Sequence, residues 1–146
     1  MTTYRIALHR DEKPKPRKRR INGVEFVVAT PPSYLPDGLA YEYDEEDGIL
    51  RILFQYLGNA EKAVRQEGGE KVSFLVGENS QKLLAVEIQV DHKGEELSSV
   101  RIVVTDQVPK ALQRVRAGSQ VVKDNYGIAG KALREHGAEI ASTVCQ

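Results

Sequence analysis

Ala40-Tyr41-Glu42-Tyr43, Asp44-Glu45-Glu46-Asp47-Gly48 and Ile49-Leu50-Arg51-Ile52-Leu53-Phe54-Gln55-Tyr56 together decide how this chain folds. Two β-prone runs flank an Asp-Gly turn, and glycine accepts the positive φ that the right-handed twist of paired strands demands of such a turn. A second unit repeats the plan. Lys71-Val72-Ser73-Phe74-Leu75-Val76 leads into Gly77-Glu78-Asn79-Ser80-Gln81, and Lys82-Leu83-Leu84-Ala85-Val86-Glu87-Ile88-Gln89-Val90 follows. Leu84, Val86, Ile88 and Val90 alternate with Ala85, Glu87 and Gln89, a period of two that gives one buried and one wet face. The stretch from Tyr41 to Val90 therefore predicts two β-hairpins.

Toward the N-terminus, Asn22-Gly23 signals another turn, and Val24-Glu25-Phe26-Val27-Val28-Ala29 reads as a strand. Tyr4, Ile6 and Leu8 alternate with Arg5 and Ala7 in a further short strand. Thr30 to Gly38 holds three prolines and predicts a rigid loop. Between the hairpins, the run from Asn59 to Glu67 predicts either a short helix, capped by Asn59 and ended by Gly68-Gly69, or a loop. Toward the C-terminus, Ser99-Val100-Arg101-Ile102-Val103-Val104-Thr105 reads as a strand. Asp106 would then cap a helix from about Val108, with Val108, Ala111, Leu112 and Val115 as its apolar stripe. After Gly118-Ser119, a second helical stripe runs through Val122, Tyr126, Ala129, Leu133, His136, Ile140 and Val144.

These elements predict the α+β class: an antiparallel, twisted β-sheet of hairpins with one or two C-terminal helices. The 146 residues suffice for one domain with a real core. Within it, residues 1–23 would form a basic strand and arm, 24–105 a β-rich core, and 106–146 the helical segment. Gly127, Gly130 and Gly137 each cost about 1 kcal/mol of helix propensity relative to alanine, so packing must hold that helix. Val122, Tyr126, Ala129, Leu133 and Ile140 are accordingly candidates for an interface with a second copy.

The formal net charge is +0, yet residues 1–20 carry eight Lys/Arg against Asp11 and Glu12. Six of those cations fall between Lys13 and Arg20: Lys13, Lys15, Arg17, Lys18, Arg19 and Arg20. Pro14 and Pro16 remove amide donors while like charges repel, which predicts an extended arm. Each cation that neutralises a phosphate releases a counterion, so these six are candidates for contacting nucleic acid. An anionic protein or the chain's own acidic surface would suit the same charges. No aromatic interrupts the run, so base stacking is not indicated.

Other motifs fail on spacing. Asp44 to Asp47 is rich in oxygen ligands, but Gly48 is fifth from Asp44 where a calcium loop needs glycine sixth. His9, His92 and His136 and the single Cys145 show no metal-ligand spacing. Gly130-Lys131 would end a phosphate-binding loop, but Asn125 and Ala132 occupy the places of its first glycine and its Ser/Thr. No metal, cofactor or linear catalytic motif is expected, and no membrane partner. With no apolar leader and one cysteine, the expected location is cytoplasmic.

Tyr43-Asp44-Glu45-Glu46-Asp47-Gly48-Ile49-Leu50-Arg51-Ile52 resembles the opening of a family of short bacterial domains of unknown function, whose hairpin pattern is Tyr-Asp-x-Glu-x-Asp-x-Leu-Tyr-Ile. Tyr43, Asp44, Glu46 and Ile52 match, Arg51 stands where the family has tyrosine, and Val72 to Ile88 is similar to its second hairpin. The resemblance implies a fold core and no activity. Three functional expectations follow: a binding or regulatory module contacting nucleic acid through its basic arm, a homo-oligomeric assembly protein, or an enzyme or ligand binder whose site forms only in three dimensions.

Overall fold

The computed structural model describes residues 2–8, 17–28, 32–58, 60–90 and 97–145. Its centre is the pair of expected hairpins. One joins β4 (Gly38–Asp44) to β5 (Ile49–Gln55), the other β7 (Val72–Gly77) to β8 (Leu83–Gln89). β5 and β8 pair with each other, and β1 (Thr3–Ala7) and β6 (Ala63–Glu67) complete a six-stranded antiparallel sheet in the order β1-β4-β5-β8-β7-β6. A separate two-stranded sheet joins β2 (Arg17–Ile21) to β3 (Val24–Val28). The helical part comprises α1 (Leu97–Ile102), α2 (Val108–Arg114) and α3 (Gln120–Ser142). The fold is therefore α+β.

The first hairpin turn shows why Asp-Gly stands where it does. Asp44 Oδ1 accepts from the backbone N–H groups of Glu46 and Asp47 at 3.1 and 3.3 Å, and Gly48 takes a φ of +65°. Those bonds, the one from Asp47 foremost, hold the Asp44 carboxyl below its usual range. Gly48 O then accepts from Val90 N at 2.7 Å, tying this turn to the end of β8. A Cβ on Gly48 would lie 2.8 Å from Val90 O.

Register decides the two faces of the sheet. Tyr41 pairs with Ile52, Ile52 with Val86, and Val86 with Phe74, so one apolar row crosses four strands. These side chains and their neighbours Leu39, Leu50, Phe54, Val72 and Ile88 share a single core with Val100, Val104, Val108, Leu112 and the inner stripe of α3. On the opposite face Arg51 Nε meets Glu87 Oε2 at 3.1 Å, Arg51 Nη1 meets Asp44 Oδ2 at 3.5 Å, and Arg65 Nη2 meets Glu87 Oε1 at 2.6 Å. Glu87 is buried beneath its two arginines.

Four expectations need correction. Ser99 to Thr105 is helical: Val100, Val104, Val108 and Leu112 recur every four residues, all of them buried, and this stripe facing the core overrides the β-propensity of its branched side chains. Pro109 has no N–H to bond Thr105 O, and the chain accommodates this with a π-turn over Val103–Gln107, in which Val108 N–H reaches Val103 O. Asp106 caps nothing and instead pairs with Lys110 at 3.1 Å. In the segment before Gly68, Ala63 to Glu67 form strand β6 rather than a helix, and Asn59 lies outside the described residues. Glu61 Oε1 bonds the amides of Asn79 and Ser80, and Glu78 N bonds Lys62 O, which lays the chain alongside β7. Finally, β8 does not keep one buried and one wet face: Leu83 rather than Leu84 enters the core, and Ala85 and Glu87 are buried too. Of the expected extended arm, Arg17 to Arg20 form one strand of the small sheet, while Lys13 and Lys15 lie outside the described residues.

The last helix holds as read from the sequence, and its glycines have a tertiary reason. Gly130 lies against Pro109, and a Cβ on Gly137 would overlap Thr105, so α3 crosses the preceding helices closely. Gly127 meets nothing within 4 Å. The glycines therefore differ in kind. Gly48→Ala should lower the urea midpoint by the equivalent of about 1–2 kcal/mol from its left-handed φ alone, whereas Gly127→Ala should raise it by about 1 kcal/mol of helix propensity; equal midpoints for the two variants would contradict this account.

Candidate functional site

The cationic residues lie on a β-ribbon. Asn22 and Gly23 have φ values of +52° and +79°, which makes the tight turn that matches strand twist, and Arg17 to Ile21 pair with Val28 to Val24 in strict register. Lys18 and Arg20 are exposed, and the acid on the facing strand, Glu25, lies across from Arg20. Lys18 Nζ is 3.8 Å from Glu25 Oε1, with the two side chains 77% and 57% exposed. So exposed a pair is worth little against solvent screening, and it leaves the cation available to a stronger anion. Arg17 and Arg19 are placed on the same strand by their backbone.

The main sheet holds the chain at Leu8, before the ribbon, and at Asp37, after it. Leu8 N bonds Asp37 O at 2.9 Å, and Asp37 N bonds Gln55 O at 2.7 Å, so the chain leaves and rejoins the main sheet at adjacent points of β1 and β4. Just before β4, a single helical turn at Pro32–Tyr34 interrupts the expected proline-rich loop. Two of its carbonyls are gripped from the core. Asn125 Nδ2 donates to Tyr34 O at 2.6 Å, and Lys82 Nζ donates to Ser33 O at 3.3 Å.

Those two side chains belong to a buried polar cluster that joins α3 to the start of β8. Asn125, with 0% exposure, also donates to Tyr56 Oη at 2.9 Å and accepts from Leu83 N at 3.0 Å. Tyr56 Oη donates onward to Leu83 O at 2.6 Å, and Tyr126 Oη donates to Gln81 O at 2.9 Å. Lys82, only 9% exposed, keeps its ammonium 4.6 Å from the Tyr56 ring centroid and 5.7 Å from that of Tyr34. Aromatic faces and a carbonyl thus replace the water it has lost. Burial pushes the Tyr56 phenol far above its ordinary value, so it serves as a neutral donor. Each polar atom named here has a partner within the protein, which suits a brace better than a reactive centre.

Among the residues singled out in the sequence, Val122, Tyr126, Ala129, Leu133 and Ile140 do come together, but inside the chain's own core. Their 0–6% exposure leaves them no surface to offer a second copy, because the sheet and the two preceding helices already cover that stripe. His136 is half-buried, 3.7 Å from Glu139. Among the described residues no helix is long and apolar enough to cross a membrane. Sequence reasoning missed Lys82, Asn125 and Tyr56. Nothing local marks them, since their partners are distant in the chain; the Lys that opens a strand and the Asn inside an apolar helical stripe were the available hints. Compared with protein-family models, with curated proteins and with solved structures, the chain gives no match.

Asn125→Leu would orphan Leu83 N–H and remove the grip on Tyr34, costing at least about 2 kcal/mol in denaturant unfolding. Tyr56→Phe should cost about 1 kcal/mol and act on alkaline stability as well. Above about pH 10 the unfolded chain releases the Tyr56 proton while the folded chain retains it, so stability falls as pH rises through that range. The variant should show a shallower alkaline decline; an identical slope would refute the burial of this phenol.

Proposed function

We propose that the chain is a small binding or regulatory module whose cationic β-ribbon docks on nucleic acid, with the main sheet and helices serving as the mount. The observation that carries this reading is the register of β2 on β3, which turns a run of like charges into one edge of a two-stranded ribbon outside the six-stranded sheet. A two-stranded ribbon is the size of element that the major groove of a duplex admits. Basic side chains on such a ribbon supply phosphate contacts, which position a protein and carry most of the salt-dependent affinity.

Charge distribution supports the same reading. Eight of the 21 basic residues lie in residues 1–20, whereas the rest of the chain holds 19 of the 21 acids. A polyanion would attract the ribbon and repel the body, orienting the protein before contact.

The test is binding of the full chain to a duplex oligonucleotide across a salt series. Affinity should fall with salt, and Lys18→Ala with Arg20→Ala should flatten the logarithmic slope by roughly one for each phosphate that the variant no longer neutralises. Affinity and slope unchanged by the double substitution would overturn the proposal.

A further inference from the structure

We propose that the open edge of β6 is a self-association edge, on which β6 of a second copy pairs antiparallel about a two-fold axis through Gln66. Such pairing is independent of the nucleic-acid reading and rests on different residues.

β6 ends the sheet, paired on one side by β7 and open on the other. All five of its residues are exposed, including Val64 at 41%. An edge of this kind presents unpaired backbone groups, which proteins either protect or use. The flanking bonds fix which groups are free. Gly68 N bonds Val72 O and Glu78 N bonds Lys62 O, so the even-numbered residues turn their backbone groups toward β7. In an antiparallel ladder the intervening residues, Ala63, Arg65 and Glu67, then point their N–H and C=O groups toward the open side.

A symmetric antiparallel pair must match these odd positions with one another, and the side chains choose among the few registers that do so. Arg65 opposite Arg65 of the second copy sets like charges across the ladder, which is destabilising. Arg65 opposite Ala63 of the second copy offers no partner. Arg65 opposite Glu67 of the second copy sets opposite charges together, and the two-fold repeats the pair. The same register places Lys62 opposite Glu70 and sets Val64 over Gly68, where no side chain intrudes. Arg65 already contacts Glu87 at 2.6 Å, so the added carboxylate would extend the ionic row on that face rather than strand a charge.

The other edge of the sheet lacks this self-complementarity. Leu8 N bonds Asp37 O, which turns the even residues of β1 toward β4 and leaves Thr3, Arg5 and Ala7 outward. No acid stands among them to answer Arg5.

Sedimentation of the full chain over a concentration series tests the proposal, with far-ultraviolet circular dichroism to check folding. The wild type should pass from the 16.3 kDa monomer to a species of twice that mass as concentration rises. Glu67→Pro deletes an outward N–H at an edge position that tolerates proline, and it should abolish the dimer. Glu67→Arg keeps the backbone intact, places cation against cation, and should weaken dimerisation at least tenfold. Arg5→Pro on the opposite edge should leave dimerisation unchanged. A wild type that stays monomeric throughout, a Glu67→Arg variant that dimerises as well as the wild type, or loss of the dimer with Arg5→Pro would each overturn the proposal.

Discussion

The pairing of β5 with β8 is the contact on which the rest of the molecule depends. Each strand already belongs to a local hairpin, and an isolated hairpin is marginal in water. Laying Leu50 and Ile52 beside Ile88 and Val86 fuses two weak units into a four-stranded platform with a continuous apolar face. The close approach of Gly48 to Val90 sets the register of that union, because any side chain at position 48 would collide with the Val90 carbonyl. Outer strands then add at either side, and the helices have a continuous apolar surface on which to bury their valines.

How much of this was legible in the sequence depended on how local the deciding interaction was. The Asp47-Gly48 turn carries its own explanation, and both hairpins stand as read; the alternation holds at Val86, Ile88 and Val90 but not at its start, where an irregular register between Leu75 and Val76 brings Leu83 instead of Leu84 into the core. Ser99 to Thr105 misled because its branched side chains suit a strand, while the helical signal, Val100 to Leu112 at intervals of four, straddles the boundary that Asp106 suggested. β6 has no apolar alternation at all. It is a strand because Glu61 and the backbone of Lys62 fasten it to the next turn, an effect of tertiary contacts. The cationic segment showed its charge plainly and hid its shape, since Arg17 to Arg20 become ordered by strands meeting across Asn22-Gly23.

The candidate site shows the same division. The cations of the ribbon were visible as composition, whereas the brace at Ser33 and Tyr34 was not. Tyr56 just after β5, Lys82 just before β8 and Asn125 on α3 are distant in sequence, and the cluster is complete only when α3 settles on the sheet. Their burial is costly unless every donor finds an acceptor, and here the Ser33, Tyr34 and Leu83 carbonyls supply them. One set of hydrogen bonds therefore ties the helical turn before β4 to both α3 and the start of β8. The interface residues inferred on α3 had the right chemistry for packing, but their partners are the chain's own sheet and preceding helices.

The bond between Leu8 and Asp37 carries a wider implication. Because Leu8 and Asp37 lie side by side, β2 and β3 fall within a stretch of chain whose ends the scaffold has already brought together. Lengthening such a loop costs little, on the order of 0.6 kcal/mol for each doubling. The ribbon is in that sense a cassette: its length and charge can change through insertion or exchange without re-engineering the platform, and the platform in turn can display a foreign hairpin.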